Sequence, residues 1–339
     1  MLANNLMLMV IFWPRIRPLA NDWIVIVNSS NYLRTATAVL ALAASLALTA
    51  GASAQEITAE HAQGETVLPS VPEKIFSFDL GTIDTLNAIG VEVDGVPDAS
   101  FPEHLSQYRD ALKIGSLFEP DYELVNAEQP DVIFVAGRSS SVYPQLSEIA
   151  PTLDLSVDWT DFPATIKQRS ETLGEIFGKQ AEVAELIAGI DANIAAVQEI
   201  APTAGNALFI SISGGRISAF GPGSRFGWVH DDLGIVPVIE DVEEATHGEA
   251  VSFEFLLETD PDWLFVLDRD AAVGTAEGAQ PAQQVLDNDL VHQMKAWQND
   301  QVVYVNPVNF YIVNGGLFTL NEMIVEVGSA IGADVQQQQ

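Results

Sequence analysis

The chain contains the stretch Tyr122-Glu-Leu-Val-Asn-Ala-Glu-Gln-Pro-Asp-Val-Ile-Phe-Val-Ala-Gly-Arg138 and repeats its pattern, without a gap, as Phe253-Glu-Phe-Leu-Leu-Glu-Thr-Asp-Pro-Asp-Trp-Leu-Phe-Val-Leu-Asp-Arg269. In both copies Glu is the second residue, a Pro-Asp pair precedes an apolar run, and Arg is the last residue. A helix, a turn, a buried strand and a terminal Arg are therefore predicted twice. The repeat indicates two α/β lobes of similar fold, each with an Arg at the strand edge where ligands bind in open α/β sheets.

The residues around the first copy continue the alternation of strand and helix. Buried strands are predicted over residues 74–79, 91–93, 131–135 and 153–157. Residues 82–89 are predicted to form a helix that ends at Gly90. Together these elements predict a first lobe over residues 55–165.

A long helix is predicted between this lobe and the next. Residues 181–200 carry apolar side chains at helical spacing and contain no proline. About twenty residues at a rise of about 1.5 Å form a rod of about 30 Å. We assign residues 166–202 to a helical region, residues 203–335 to a second α/β lobe and residues 336–339 to a glutamine tail.

The first 54 residues have the features of a targeting sequence. Arg34 precedes an apolar run over residues 35–50, after which Ala52-Ser53-Ala54 supplies the small residues of a signal-peptidase site. The run is short for a membrane-spanning helix, so we expect cleavage after Ala54. The residues before Arg34 contain two prolines and another apolar patch, which suits a start codon further downstream.

The composition excludes several classes of function. Lys and Arg number 14 and Asp and Glu number 47, so the formal net charge is -33 at pH 7. A surface this acidic repels nucleic acid and anionic lipid. The chain has no cysteine, which removes disulfides, iron–sulfur clusters and thiolate metal sites. His, Tyr and carboxylate side chains remain as possible metal ligands.

Arg138, Arg225 and Arg269 stand out because basic residues are scarce and two of the three hold equivalent positions in the repeat. Arg225 lies in the glycine-rich loop Phe220-Gly-Pro-Gly-Ser-Arg-Phe-Gly227, after a predicted strand. Each Arg taken alone could pair with a surface carboxylate. The three together favour a cleft that neutralises an anionic ligand through charge-assisted hydrogen bonds.

His247 and Tyr311 are candidates for metal binding. His247 lies in the loop before the helix of the second copy, and Tyr311 follows a predicted strand over residues 302–305. A lone His is more often a surface residue than a ligand, and a lone Tyr is more often a packed ring with a hydrogen-bonded hydroxyl. Spacing alone leaves both alternatives open.

Glu123 and Glu254 lie near the predicted helix starts of the two copies, with Asp121 and Ser252 as predicted N-caps. Negative charge is favourable at a helix N-terminus whatever the function. The alternative is a pair of acidic docking residues, one on each lobe, for a symmetric partner.

The sequence lacks the common enzyme signatures. It contains no Walker A, His-Glu-x-x-His or Gly-x-Ser-x-Gly pattern, and Gly221-x-Gly-x-x-x-Gly227 misses the dinucleotide spacing by one residue. We therefore expect a binding protein and not an enzyme.

Four stretches carry a family resemblance: Ile75-Phe-Ser-Phe-Asp-Leu-Gly-Thr-Ile-Asp-Thr-Leu-Asn-Ala-Ile-Gly90, Gln129-Pro-Asp-Val-Ile-Phe, Gly223-Ser-Arg-Phe-Gly-Trp-Val-His-Asp-Asp-Leu-Gly234 and Leu286-Asp-Asn. In these stretches the chain resembles the periplasmic siderophore-binding proteins of the helical-backbone type, especially the branch that binds catecholates. The resemblance implies two Rossmann-like α/β lobes joined by one long helix, here residues 181–200, with the ligand cleft between the lobes.

The resemblance also implies roles for individual residues. The cleft arginines of the branch fall on Arg138, Arg225 and Arg269, its iron-binding His and Tyr on His247 and Tyr311, and the docking glutamates of the wider family on Glu123 and Glu254. Asn309 departs from the family, because an aromatic residue is expected beside the tyrosine. The implied protein is a monomeric periplasmic receptor without a cofactor of its own. It carries ferric iron as a siderophore complex and delivers it to the permease of an ABC importer.

Elementary chemistry agrees with this expectation. A ferric catecholate is anionic and needs a local positive cleft in so acidic a chain. A bis-catecholate fills four of the six positions of iron, so a phenolate and an imidazole could complete the octahedron. The alternatives are a haem- or cobalamin-binding protein of the same fold, an exported α/β hydrolase with His247 as base, and an adhesion module.

Overall fold

Two separate sheets, one in each predicted lobe, carry the fold. The computed structural model describes residues 56–240, 246–274 and 280–337. The predicted signal peptide, its cleavage site at Ala54 and the last two residues of the glutamine tail lie outside these ranges. Within the described ranges, no helix has the length and apolar character needed to span a bilayer.

The first lobe is built on a five-stranded parallel sheet. A two-stranded antiparallel hairpin precedes it, and the strands of both are β1 (Ile57–His61), β2 (Gly64–Leu68), β3 (Ile75–Ser77), β4 (Gly95–Val96), β5 (Leu112–Lys113), β6 (Val132–Val135) and β7 (Thr152–Asp154). The helices are α1 (Leu80–Ala88), α2 (Tyr122–Glu128) and α3 (Tyr143–Leu146), with a 3₁₀ segment over Glu103–Asp110. The strand order is β5-β4-β3-β6-β7.

The centre of this sheet is buried on both faces, as a parallel sheet requires. All four residues of β6 are buried. Val132 and Phe134 enter one apolar cluster, and Ile133 and Val135 enter another, because successive side chains of a strand point to opposite faces. The lobe is therefore a sheet covered on two sides, as the Rossmann-like prediction expects.

The strand predicted over residues 91–93 is wrong, because the next strand, β4, begins only at Gly95. The backbone N–H groups of Gly90 and Val91 instead donate to the carbonyl groups of Asn87 and Leu86 and so close the end of α1. Because these residues cap the helix, the next strand begins later in the sequence than predicted.

Two helices follow the first sheet, α4 (Phe162–Phe177) and α5 (Gln180–Ile200). α4 ends where Gly178 adopts a left-handed conformation with φ 65°. α5 has 21 residues and confirms the long helix predicted over residues 181–200. It leads directly to the second sheet and places Val183, Ile190 and Val197 in the core.

The second lobe is built on a mixed sheet. Its strands are β8 (Asn206–Ser213), β9 (Arg216–Phe220), β10 (Val236–Pro237), β11 (Glu249–Val251), β12 (Trp263–Asp268) and β13 (Val302–Tyr304). Its helices are α6 (Trp228–Asp231), α7 (Phe253–Thr259), α8 (Arg269–Val273), α9 (Ala282–Leu286), α10 (Lys295–Gln298) and α11 (Leu317–Ala330). The main path is β11-β9-β8-β12-β13, in which β8, β12 and β13 are parallel and β9 pairs antiparallel with both β8 and β11.

The sequence repeat is also a structural repeat. α2 and α7 each have seven residues, and the side chains of Asp121 and Ser252 cap them as predicted by accepting from backbone N–H groups. Both helices end on a non-glycine residue in the left-handed region, Gln129 at φ 49° and Asp260 at φ 42°. Equivalent caps and strands in the two copies confirm the two α/β lobes.

The last helix, α11, returns to the first lobe. The backbone N–H of Leu317 donates to the Thr85 hydroxyl at 3.0 Å, and the Asn193 side chain of α5 donates to Asn321 at 2.8 Å. Gly81 approaches Gly315 so closely that a β-carbon on Gly81 would lie 2.6 Å from the backbone of Gly315. The domain borders at residues 165, 202 and 335 stay predictions.

Candidate ligand-binding site

Each residue predicted for the cleft follows the end of a strand. Arg138 lies in the 3₁₀ turn Gly137–Val142 after β6, and Arg269 is the first residue of α8 after β12. Arg225 lies in the loop after β9, and Tyr311 lies in the π-helical turn Val308–Ile312 after β13. The structure brings the three arginines together around the ring of Tyr311.

The Tyr311 ring is surrounded by guanidinium groups. The Cζ atoms of Arg138, Arg225 and Arg269 lie 5.1, 4.9 and 5.2 Å from its centroid. Arg269 donates from Nε to the Tyr311 hydroxyl at 2.8 Å, and Arg138 donates from Nη2 to the Tyr311 carbonyl oxygen at 2.6 Å. Cation–π attraction and charged hydrogen bonds hold the three cations around one phenol.

The cluster joins the two lobes. Arg138 belongs to the first lobe, whereas Tyr311 belongs to the second. Trp159, which follows β7 in the first lobe, lies 4.7 Å from the Cζ atom of Arg225 and stacks on Phe162 at 5.4 Å. Sequence analysis missed Trp159, because no motif marks it. Its position gives the cluster a fluorescent residue.

The cluster perturbs the protonation of its own members. Burial, followed by the charge of Arg138, lowers the pKa of Arg225 to about 10. Burial alone would raise the pKa of Tyr311. The hydrogen bond from Arg269 and the positive charges of all three arginines outweigh that effect, so the pKa of Tyr311 lies below its usual value of 10.0. The phenol is therefore easier to convert to phenolate than an ordinary tyrosine.

A cavity of about 350 Å³ opens beside the cluster and is lined by Arg225, Arg269, Tyr311 and His247. None of its described lining residues is Asp or Glu, in a chain with 47 such residues. The Nε atom of Arg225 is buried and has no hydrogen-bond partner in the described part of the chain. The cavity wall is therefore positively charged and has a hydrogen-bond donor without a partner among the described residues, which suits an anionic ligand.

His247 lies in the turn before β11, where its exposed side chain lines the same cavity as Tyr311. Across the described residues, no cluster of three or more His, Asp or Glu side chains could hold a metal ion. Coordination by these two residues stays a prediction.

Glu123 and Glu254 lie away from this cavity. Each is exposed and is the second residue of its helix, α2 or α7. Neither residue lines the cavity. Their equivalent positions agree with the prediction of one acidic residue on each lobe. The structure does not assign a partner to either residue.

A larger cavity, of about 660 Å³, lies between the hairpin β1–β2 and α4. Its lining includes Glu60, Glu65 and Glu175, and its one lining arginine, Arg169, is paired with Asp79 at 2.8 Å. A wall of this charge repels an anion. The smaller cavity, with its positive lining, is therefore the better candidate site for an anionic ligand.

Comparison with known proteins gives consistent matches over most of the chain. The sequence model of the family described as "Periplasmic binding protein" matches residues 75–308. Petrobactin-binding protein YclQ of Bacillus subtilis is 38% identical over 280 residues, which cover 80% of this chain and 87% of YclQ. Ferric-anguibactin-binding protein FatB of Vibrio anguillarum is 31% identical and covers 80% of this chain and 86% of its own length.

A solved structure shows the same likeness in three dimensions. The periplasmic catecholate-siderophore binding protein VctP of Vibrio cholerae superposes with a TM-score of 0.76 at 30% identity. The match covers 81% of this chain and all of VctP, 100%.

Proposed function

Because the chain belongs to the periplasmic binding protein family, we propose that it is an exported receptor that binds a ferric siderophore, of the catecholate type, between its lobes. The observation that carries this proposal is the ring of three guanidinium groups around Tyr311 beside a cavity whose described lining has no carboxylate. The family consists of binding proteins, and we propose that the chain transports its ligand without changing it chemically.

Charge supports an anionic cargo. The chain as a whole carries a formal charge of -33, so its long-range field repels anions. The three guanidinium groups all lie within 5.2 Å of one ring centroid and repel one another, and a bound anion would relieve that repulsion. A ferric catecholate complex supplies negative charge spread over several oxygen atoms, which planar guanidinium groups bind well.

Iron enters this account as cargo. A tetradentate bis-catecholate leaves two positions of the ferric ion open. The Tyr311 phenolate and the His247 imidazole, which line one cavity, are proposed to fill them. The lowered pKa of Tyr311 supports this proposal, because an oxygen ligand of ferric iron must lose its proton.

Titration of the apoprotein with a ferric bis-catecholate tests the function. We expect saturable quenching of tryptophan fluorescence, because Trp159 lies against Arg225 at 4.7 Å. Haem and cobalamin serve as the comparison ligands. Tight binding of either of these, with no quenching by the ferric chelate, would reject the proposal.

Export and delivery complete the proposed role. The family and the named relatives support a location outside the cytoplasmic membrane. We propose that the chain is cleaved after Ala54, acts in the periplasm as a monomer and hands its cargo to the permease of an ABC-type importer.

Glu123 and Glu254 are proposed to dock on that permease, one from each lobe. Replacing both by Ala should leave ferric chelate binding unchanged, because neither residue lines the cavity. Iron uptake in cells that depend on this protein should fall severalfold. The matched control replaces Glu171 and Glu258, two other exposed helix glutamates, by Ala. Unimpaired uptake by the Glu123/Glu254 double variant would remove the docking role.

A further inference from the structure

One wall of the cavity is an antiparallel pair of strands, and none of its residues was predicted for the cleft. β8 and β9 are joined by Gly214 and Gly215, whose φ angles are 56° and 72°. Positive φ at both central residues is the mark of a type I′ hairpin turn, which glycine adopts without strain. The tight turn fixes the pairing of the strands, so that Ser213 lies opposite Arg216 and Ser211 lies opposite Ser218.

The polar residues of this strand pair share the face that lines the cavity. Side chains two apart on a strand point to the same face, and Ser211, Ser213, Arg216 and Ser218 all line the cavity with Arg225 and Arg269. The opposite face of β8 holds the apolar residues Ile210 and Ile212. The alternation therefore separates a polar wall from the core.

Two hydroxyl groups of the wall make no hydrogen bond within the part of the chain that the structure describes. Ser213 is engaged, because it donates to Asp270 at 3.0 Å and accepts from Arg269 at 2.9 Å. Ser211 is only 8% exposed, yet within the described residues neither its hydroxyl nor that of Ser218 makes a hydrogen bond. Both residues line the cavity, so their hydroxyls keep their hydrogen-bonding capacity for a ligand.

Arg216 adds a fourth positive charge to the cavity. Its side chain is exposed at the end of the strand pair, and in the described part of the chain its guanidinium makes no ion pair. The nearby Asp270 carboxylate accepts instead from the backbone N–H of Gly214 and the hydroxyl of Ser213. Within the described residues, the Arg216 guanidinium is therefore available to pair with an anionic group of a ligand.

We propose that Arg216, with the hydroxyls of Ser211 and Ser218, forms a subsite for a free carboxylate on the bound chelate, one that is not a ligand of the iron. This inference rests on the proposed function and narrows the class of cargo. The guanidinium forms two parallel hydrogen bonds with a carboxylate, and the hydroxyls donate to its oxygens. The favoured ligand is therefore a catecholate siderophore that carries a pendant carboxylate beside the metal centre.

Two synthetic chelates test the subsite. Both are ferric bis-catecholamides of one design, and their linkers differ only in a carboxylate or the corresponding carboxamide. We expect the wild-type protein to bind the carboxylate chelate about tenfold more tightly. Arg216→Gln should abolish this preference while leaving the affinity for the carboxamide chelate within about twofold of wild type. The double variant S211A/S218A should reduce the preference in part.

Arg109→Gln is the matched control, because Arg109 is an exposed arginine paired with Glu103 at 2.9 Å in the first lobe. It should keep the wild-type preference. Equal affinity of the wild type for both chelates, or an equal loss for both in Arg216→Gln, would overturn the subsite and leave the arginine cleft intact. Failure of the wild type to bind either chelate would instead overturn the proposed function, and the subsite with it.

Discussion

Replacing Tyr311 by Phe is expected to shift the visible charge-transfer band of a bound ferric bis-catecholate and to weaken its binding at least about tenfold. The variant keeps the ring that three guanidinium groups surround at 4.9 to 5.2 Å. It removes only the oxygen that we propose to bind iron. A changed spectrum would therefore report a lost metal ligand and not lost packing.

A hexadentate ferric tris-catecholate is the matched comparison for this variant. Its iron has no open position, so Tyr311→Phe should alter its spectrum and affinity much less. His247→Ala should behave as Tyr311→Phe does with both chelates, because His247 lines the same cavity. Absorption spectra and titrations of both variants with both chelates make the measurement. An unchanged band for the tetradentate complex would remove direct coordination and leave the arginine cleft in place.

Most of the architecture could be read from the repeat. Its apolar runs became β6 and β12, its helix starts became α2 and α7, and the predicted caps Asp121 and Ser252 make the expected hydrogen bonds. These features depend on local chemistry, such as burial of an apolar strand and capping of a helix end. Local patterns of this kind can be recognised without tertiary contacts.

The contacts between distant segments could not be read in this way. The close approach of Gly81 to Gly315 and the bond between Asn193 and Asn321 join residues far apart in the chain. Nothing in the local pattern of either segment marks these pairings. The strand predicted over residues 91–93 failed for a related reason, since helix capping competed with strand pairing there.

The candidate site was partly visible in the sequence. The two arginines of the repeat were each predicted at a strand edge, and the structure places their Cζ atoms 5.1 and 5.2 Å from the Tyr311 ring centroid. His247 was a candidate from its position in the second copy, and the family resemblance added its iron-binding role. The polar residues that line the cavity on β8 and β9 do have a sequence signal, which the sequence analysis did not use. Ser211, Ser213, Arg216 and Ser218 alternate with other residues on either side of two glycines. Trp159 has no such signal.

Replacing Arg138, Arg225 or Arg269 by Gln is expected to weaken ferric bis-catecholate binding by about 1 to 3 kcal/mol each, the scale of hydrogen bonds to charged groups. Folding should barely change. Without ligand, burial and the neighbouring arginines already disfavour the charge of Arg225, as its pKa of about 10 shows. Removing that charge takes away a repulsion and no ion pair.

Isothermal titration of Arg225→Gln with the ferric bis-catecholate, beside the control Arg109→Gln, tests the central claim most directly. We predict a loss of about 10- to 100-fold in affinity for Arg225→Gln, none for the control, and equal thermal midpoints for both apoproteins. Wild-type affinity in Arg225→Gln, and then in the Arg138 and Arg269 variants, would contradict the claim that these arginines hold the cargo.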